Sequence, residues 1–392
     1  MQNSSILSLA LFALSGISSA QSNQVGSWTL DVPRPSGPRQ VGTLSLVLGN
    51  AVAHQAYSPN SKRELPVRFW YPATNGKICQ TANYATPPVW AYLSRISGLP
   101  LPTVRTNSCQ DALPEPGAHP VVIFSHGYTG TFTDATFIFE DLASRGFIVA
   151  SVAHSSDTAA VEFPDGRLIT SKLGSYLAAG TLRLNWWTLQ QVRAIRLEDV
   201  SFVLDRLQAL NGTKDSPFLG RLDLSRVGII GHSLGGEIAV TSLKRDPRIR
   251  AAVSLNGVFS PVADATTEKP LLLLTTGAEG WDANACQLWE ALHGERLGVH
   301  FPAGDHYTLT DGIWLVGSLP RVAAQLDTAE RNRLIVAIRD SLAAFLGRSL
   351  SEHSSVSSWS VVRYANYSDA VVTTRTESLC QSKVASATGE RK

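Results

Sequence analysis

Charge is scarce in this chain. Asp, Glu, Lys and Arg make up 17% of its 392 residues, and the formal net charge is only +2. Phosphate binding rests on clustered Lys and Arg, so a balance this close to neutral predicts no nucleic-acid groove. Disorder is excluded as well, because 44% of the residues are hydrophobic. The 30 glycines show no triplet period, which rules out a collagen-like helix. Four cysteines are too few for a small disulfide scaffold. They form no C-x-x-C pair, so neither a zinc knuckle nor a thioredoxin-like site is signalled. There is no Walker P-loop, no G-x-G-x-x-G after a strand pattern and no H-E-x-x-H, and no cofactor or metal is expected. After the N-terminus no apolar run approaches the eighteen or so residues of a membrane-spanning helix.

What the chain does have begins at that N-terminus. Ile6 to Ile17 is a Leu-rich apolar run of twelve residues followed by Ser18, Ser19 and Ala20. Such a run is too short to span a bilayer and reads as a signal peptide over 1–20, which predicts a secreted, extracellular protein. In an oxidising compartment Cys79, Cys109, Cys286 and Cys380 permit three connectivities, of which locality favours Cys79–Cys109 with Cys286–Cys380. The sequons at Asn211 and Asn366 fit glycosylation on exposed segments.

Residues 21–40 carry Pro33, Pro35 and Pro38 and read as an extended arm. Strand-like runs follow at Gly42–Leu48 and Val67–Tyr71, then a Pro-, Ser- and Asn-rich stretch over 73–120. From Pro120 the pattern becomes α/β alternation. Val121–Phe124, Phe147–Val152, Val227–Ile230, Ala251–Leu255 and Leu271–Leu274 are continuous apolar runs, the mark of strands buried on both faces. Between them, Asp134–Arg145, the Val192–Leu207 repeat and Leu234–Leu243 have helical spacing, and Val336–Phe345 adds a last helix. The expected architecture is a mostly parallel central sheet with helices on both faces, one domain over 41–350. A short segment over 157–187 is expected to cap the cleft, its Leu182, Leu184, Trp186 and Trp187 either meeting acyl chains or a lipid surface or anchoring the next helix in the core. The last stretch, 351–392, reads as a Ser/Thr-rich mobile tail tied at Cys380.

The chemistry centres on Gly231-His-Ser-Leu-Gly235. This G-x-S-x-G ends a buried strand and opens a helix, the turn that lifts a serine hydroxyl into a cleft. A serine hydroxyl needs a base within hydrogen-bond reach. Of the nine histidines, His306 lies on a loop after the last expected strand, where it can return to Ser233. His293 and His300 fall within expected elements and read as structural; His126, His154 and His232 read as scaffold or cleft-lining. The acid that orients the base is expected after Leu271–Leu274, where Asp282 is favoured and Glu279 is the alternative. The tetrahedral oxyanion is expected to meet the backbone amides of Tyr128 and Leu234.

With these residues in view, the chain resembles the secreted platelet-activating-factor acetylhydrolase family of α/β-hydrolases. The likeness rests on Pro120–Tyr128, Asp141–Val149, Gln191–Arg193 and Asp223–Ser233, and runs through His306 to Ser341–Leu346. It implies an α/β-hydrolase fold and calcium-independent hydrolysis of short or oxidised acyl chains at the glycerol sn-2 position. Ser233 would be nucleophile, His306 base, and Tyr128 with Leu234 oxyanion donors. Asn256 departs from the family pattern, because that family places its acid after the strand following the elbow. Gly277-Ala-Glu279 instead resembles cutinases and polyester hydrolases, with one extra residue before Asp282. The expected function is therefore a serine esterase of short-acyl lipid esters. The alternatives are a cutinase-like carboxylesterase or polyester hydrolase, and a catalytically silent α/β-hydrolase that binds.

Overall fold

The computed structural model describes residues 28–50, 63–74, 79–155, 157–171, 186–260, 267–319, 326–351, 369–374 and 377–380. The first part of the chain builds β1 (Thr29–Asp31), β2 (Gln40–Asn50), β3 (Arg63–Ala73), β4 (Thr81–Asn83), helix α1 (Pro87–Ser97) and β5 (Thr103–Gln110). Next come β6 (His119–Ser125), α2 (Thr136–Ser144), β7 (Ile148–Val152) and the hairpin β8 (Ala160–Glu162) with β9 (Leu168–Thr170). The long helix α3 (Trp186–Gly212) leads to β10 (Leu222–His232), α4 (Leu234–Arg245), β11 (Ile249–Leu255) and β12 (Leu271–Thr276). Helix α5 (Ala283–Ala291), β13 (Arg296–Phe301), the single turn α6 (Gly312–Leu315), α7 (Thr328–Ser349) and β14 (Val371–Thr374) complete the described chain.

The main sheet runs β1-β5-β2-β3-β7-β6-β10-β11-β12-β13-β14, with β4 added beside β5. From β7 to β13 all neighbours are parallel. The parallel strands are apolar along their length because both faces are covered. Val122, Phe124, Ile230 and Val253 pack on Phe137 and Leu142 of α2 and on Ile338 and Phe345 of α7. The alternate residues Val121, Ile123, Ile229 and Ala252 pack on Val203 and Leu207 of α3 and on Ile238 and Leu243 of α4. A period of two in the strands thus feeds two separate cores.

Two stretches read as irregular in the sequence contain elements. In 73–120, Pro87 and Pro88 open α1 at its first two positions, where a missing N–H costs nothing, and Gly98 closes it at φ 67°. In the tail, Val371–Thr374 forms β14 and pairs antiparallel with β13. Both favoured disulfides are formed: Cys79–Cys109, with Cα atoms 5.0 Å apart, and Cys286–Cys380, with Cα atoms 6.1 Å apart. The Asn211 side chain pairs with the Leu222 backbone, donating to its O at 2.9 Å and accepting from its N at 3.0 Å. Residues 1–20, Leu182, Leu184 and Asn366 lie outside the described residues, as do the side chains of Trp186 and Trp187. Among the described residues no helix is long and apolar enough to cross a membrane.

Candidate active site

Ser233 stands between the end of β10 and the start of α4 with φ 56° and ψ −119°. A positive φ is uncommon in a residue with a Cβ and costs on the order of 1–3 kcal/mol, so it persists only where its surroundings enforce it. Here Ser233 N donates to Leu255 O at 2.9 Å, and Ser233 O accepts from Gly236 N at 2.9 Å and from Val258 N at 3.2 Å. The flanking glycines let α4 press onto the sheet. A Cβ on Gly231 would lie 1.8 Å from Gly235 O, and one on Gly235 would lie 2.0 Å from Ser125 O.

The loop His126-Gly127-Tyr128 leaves β6 and lies against this elbow. A Cβ on Gly127 would stand 3.1 Å from His232 Nδ1 and 3.5 Å from Ser233 Cβ. Leu234, as the first residue of α4, has an amide with no intrahelical acceptor, at the positive end of the helix dipole. The two segments expected to stabilise an oxyanion therefore meet at Ser233.

His306 reaches the same place on the loop after β13. Its carbonyl accepts from His232 Nε2 at 2.9 Å and from Asn256 Nδ2 at 3.1 Å, and the two imidazole centroids are 4.9 Å apart. The loop is also closed internally, with Asp305 Oδ1 accepting from Tyr307 N at 2.9 Å. Beyond it, the buried Asp311 carboxylate caps α2 by accepting from Thr136 N at 2.9 Å and Phe137 N at 3.1 Å. Burial holds the His306 ring below the usual histidine pKa, while the charge of Asp305 pulls it back up. Its imidazole is thus neutral near pH 7, the form a general base requires. Burial, and then the neighbouring His306, bring His232 down to about 3. A neutral His232 that donates from Nε2 to a carbonyl carries its proton on that nitrogen.

Neither carboxylate expected to orient the base is brought to it. Asp282 is exposed and caps α5, accepting from Ala285 N at 2.7 Å, and Glu279 is exposed on the preceding turn. Among the described residues the His306 ring has no hydrogen-bonded carboxylate. The position after β11 is filled by Asn256, at φ 45° and buried. Its Nδ2 donates to Thr276 Oγ1 at 2.8 Å as well as to His306 O, and its Oδ1 accepts from Thr276 N at 2.9 Å and Thr275 Oγ1 at 2.8 Å. Only a side chain that donates and accepts at once satisfies this set. Asn256→Asp would aim a buried carboxylate at the carbonyl of His306. It is expected to cost about 1–3 kcal/mol of stability, read as a lower urea midpoint than that of the unsubstituted protein.

His300 is half-buried in β13 and His293 is exposed between α5 and β13. His126 and His154 are fully buried behind the site. The bracing roles of His232 and Asn256 were not legible in the sequence; the departure at Asn256 was the one signal that pointed there.

The mostly parallel sheet and the strained serine elbow define a carboxylic ester hydrolase of the α/β-hydrolase class. Comparison with known proteins agrees. Residues 25–167 match the family described as "Platelet-activating factor acetylhydrolase, isoform II", and residues 187–292 match the family described as "PET hydrolase-like". The chain is 29% identical over 313 residues to the "Probable 1-alkyl-2-acetylglycerophosphocholine esterase" of Arthroderma benhamiae, covering 71% of this chain and 76% of that one. It is 28% identical over 259 residues to the platelet-activating factor acetylhydrolase of Cavia porcellus, covering 61% of this chain and 58% of the relative. Among solved structures, the ferulic acid esterase of Streptomyces cinnamoneus superposes with a TM-score of 0.69 at 32% identity, covering 88% of this chain and 98% of that one. The chain belongs to the α/β-hydrolase esterases, matching the platelet-activating factor acetylhydrolase family over 25–167 and the PET hydrolase-like family across the elbow.

Proposed function

We propose that this chain is a secreted serine esterase that hydrolyses short-acyl lipid esters of the 1-alkyl-2-acetylglycerophosphocholine type. The observation behind this reading is the elbow conformation of Ser233, with the loops of Tyr128 and His306 packed against it. Ser233 Oγ attacks the ester carbonyl as His306 takes its proton, and the amides of Leu234 and Tyr128 receive the oxyanion. The alcohol leaves with that proton, and water then releases the acid from the acyl-serine by the same route. The acetylhydrolase-type substrate is supported by the match over 25–167 and by the fungal and guinea-pig relatives.

A second reading, a carboxylesterase acting on polyester or aryl esters, is favoured by the match over 187–292 and by the likeness to the ferulic acid esterase. One experiment separates them. The purified protein is labelled with a fluorophosphonate and then assayed on a phospholipid with an sn-2 acetyl group, on p-nitrophenyl acetate and on a feruloyl ester. Labelling at Ser233 with phospholipid turnover supports the first reading. Turnover of the other esters alone supports the second, and no labelling at Ser233 leaves only a silent binding protein.

Protonated His306 cannot accept the serine proton, so activity is expected to fall as pH drops, with a midpoint below the ordinary histidine value of 6.5. The same profile compares two carboxylates: Asp282, favoured by the sequence, and Asp305, whose charge raises the His306 pKa. Asp305→Asn removes that charge and keeps an acceptor for Tyr307 N, so the midpoint is expected to move lower. Asp282→Asn keeps the α5 cap and is expected to leave the midpoint in place. The reverse pattern in pH–rate curves assigns the acid role to Asp282.

A further inference from the structure

Behind the Tyr128 loop lies a polar cluster that the reaction does not touch. Arg196 on α3 is fully buried, as are Ser125, His126, His154 and Asp199, and Asp157 is 3% exposed. Ser125 Oγ lies 3.0 Å from His154 Nε2, and His154 Nδ1 donates to Asp199 at 2.8 Å. These are the residue types and contacts of a catalytic triad, but no substrate reaches them. Arg196 donates to Asp157 from Nε at 2.9 Å and from Nη2 at 2.8 Å, and its two outer nitrogens also reach the loop. Nη1 donates to His126 O, and Nη2 donates to Gly127 O at 3.1 Å.

Gly127 O is the focus of the cluster. Besides Arg196 it accepts from His126 Nδ1 at 2.7 Å and from Gly130 N at 3.0 Å. The His126 tautomer follows from its other nitrogen: Nε2 accepts from His154 N at 3.2 Å, so the proton is on Nδ1. Burial and the charge of Arg196 keep this ring neutral. The peptide between Gly127 and Tyr128 is trans, since the described chain has no cis bond. In a trans peptide the carbonyl and the following N–H point in opposite directions. Three donors on Gly127 O, one of them charged, therefore aim the Tyr128 N–H away from the buried cluster. Turning that peptide over would strip all three hydrogen bonds from a carbonyl that water cannot reach.

We propose that Arg196 is a positioning residue for the reaction, holding the Gly127–Tyr128 peptide so that the Tyr128 amide faces the oxyanion. This deepens the esterase reading and rests on it. Preorganised donors matter most in the transition state. Loss of Arg196 should therefore appear in kcat and in the binding of tetrahedral analogues, and leave KM unchanged.

The test compares four variants with the unsubstituted protein: Arg196→Lys, His126→Leu, His126→Asn and Asp199→Asn. Each is assayed for kcat and KM on p-nitrophenyl acetate, for affinity toward a trifluoromethyl ketone, and for melting temperature. Lysine keeps the charge against Asp157 and cannot reach both carbonyls. Arg196→Lys is expected to lower kcat and ketone affinity together, by about 100-fold, with KM and the pH midpoint unchanged. His126→Leu removes a second donor to Gly127 O and should act alike, whereas His126→Asn restores an N–H near the Nδ1 position and should recover most of the loss. Asp199→Asn lies in the same cluster and makes no contact with Gly127 O. It is expected to lower the melting temperature without changing the ratio of ketone affinity to KM. The proposal is overturned if Arg196→Lys, or His126→Leu where the lysine variant does not fold, keeps kcat and ketone affinity. It is also overturned if Asp199→Asn loses them to the same degree. An unsubstituted protein that neither turns over ester nor labels at Ser233 defeats the esterase reading itself, a result distinct from either of these.

Discussion

Ser233→Ala is expected to reduce kcat by a factor on the order of 10⁴ to 10⁶, with the fold and substrate binding intact. The size follows from what the hydroxyl does. In the proposed mechanism no acyl-enzyme forms without it, and what remains is the help that the amides of Leu234 and Tyr128 would give to attack by water. The substitution also relaxes nothing else: Ser233 holds its place through backbone N and O bonds to Leu255, Gly236 and Val258, which alanine retains. A melting temperature near that of the unsubstituted protein, beside lost turnover, is the combined result to look for. If the alanine variant kept more than about a hundredth of the rate, compared with the loss expected for a nucleophile, attack would have to come from another group.

Gly235→Ala is expected to have the largest effect on folding. The added methyl would lie 2.0 Å from Ser125 O and 2.8 Å from His126 O. Both are backbone atoms at the end of a central buried strand, so no side chain can swing aside. Relief requires α4 to withdraw from β6, which would separate Ser233 from the Tyr128 loop and open the core around Ile238 and Leu243. Overpacking of this kind typically costs 1–3 kcal/mol, and backbone overlap places the expected loss at about 3 kcal/mol or more. Chemical denaturation of the variant would measure it. Gly347→Ala on α7, where a Cβ would meet nothing within 4 Å, is the control expected to fold normally. A Gly235→Ala protein as stable as its parent would mean that the elbow is looser than its geometry states.

These two glycine environments mark how far local reading reaches. Val121–Phe124, Val227–Ile230 and Leu271–Leu274 declare buried strands because a strand covered on both faces must be apolar without interruption. Gly231–Gly235 declares the elbow because the turn needs small residues on both sides of the serine. The position of His306 after β13 follows once the alternation of strands and helices is recognised. By contrast, α1 was hidden by Pro87 and Pro88, residues that end helices in their interior and start them at their N-terminus. The tail strand β14 was hidden too, because four residues carry too little periodicity to declare a strand.

The sequence by itself thus determined what contiguous residues can encode: the sheet, the elbow that holds Ser233, and the loop that holds His306. Only the tertiary structure decided how these parts are held. Asn256 and His232 brace the His306 carbonyl across 50 and 74 residues of chain, and Arg196 reaches Gly127 across 69. The same is true of Asp282, which a local pattern marks as an acid and the packing places at the head of α5. Hydrophobic period and turn chemistry act between neighbours in sequence, so they can be read there. A buried hydrogen bond depends on which distant polar groups the closed core brings within about 3 Å of one another, and that is settled only when the layers pack.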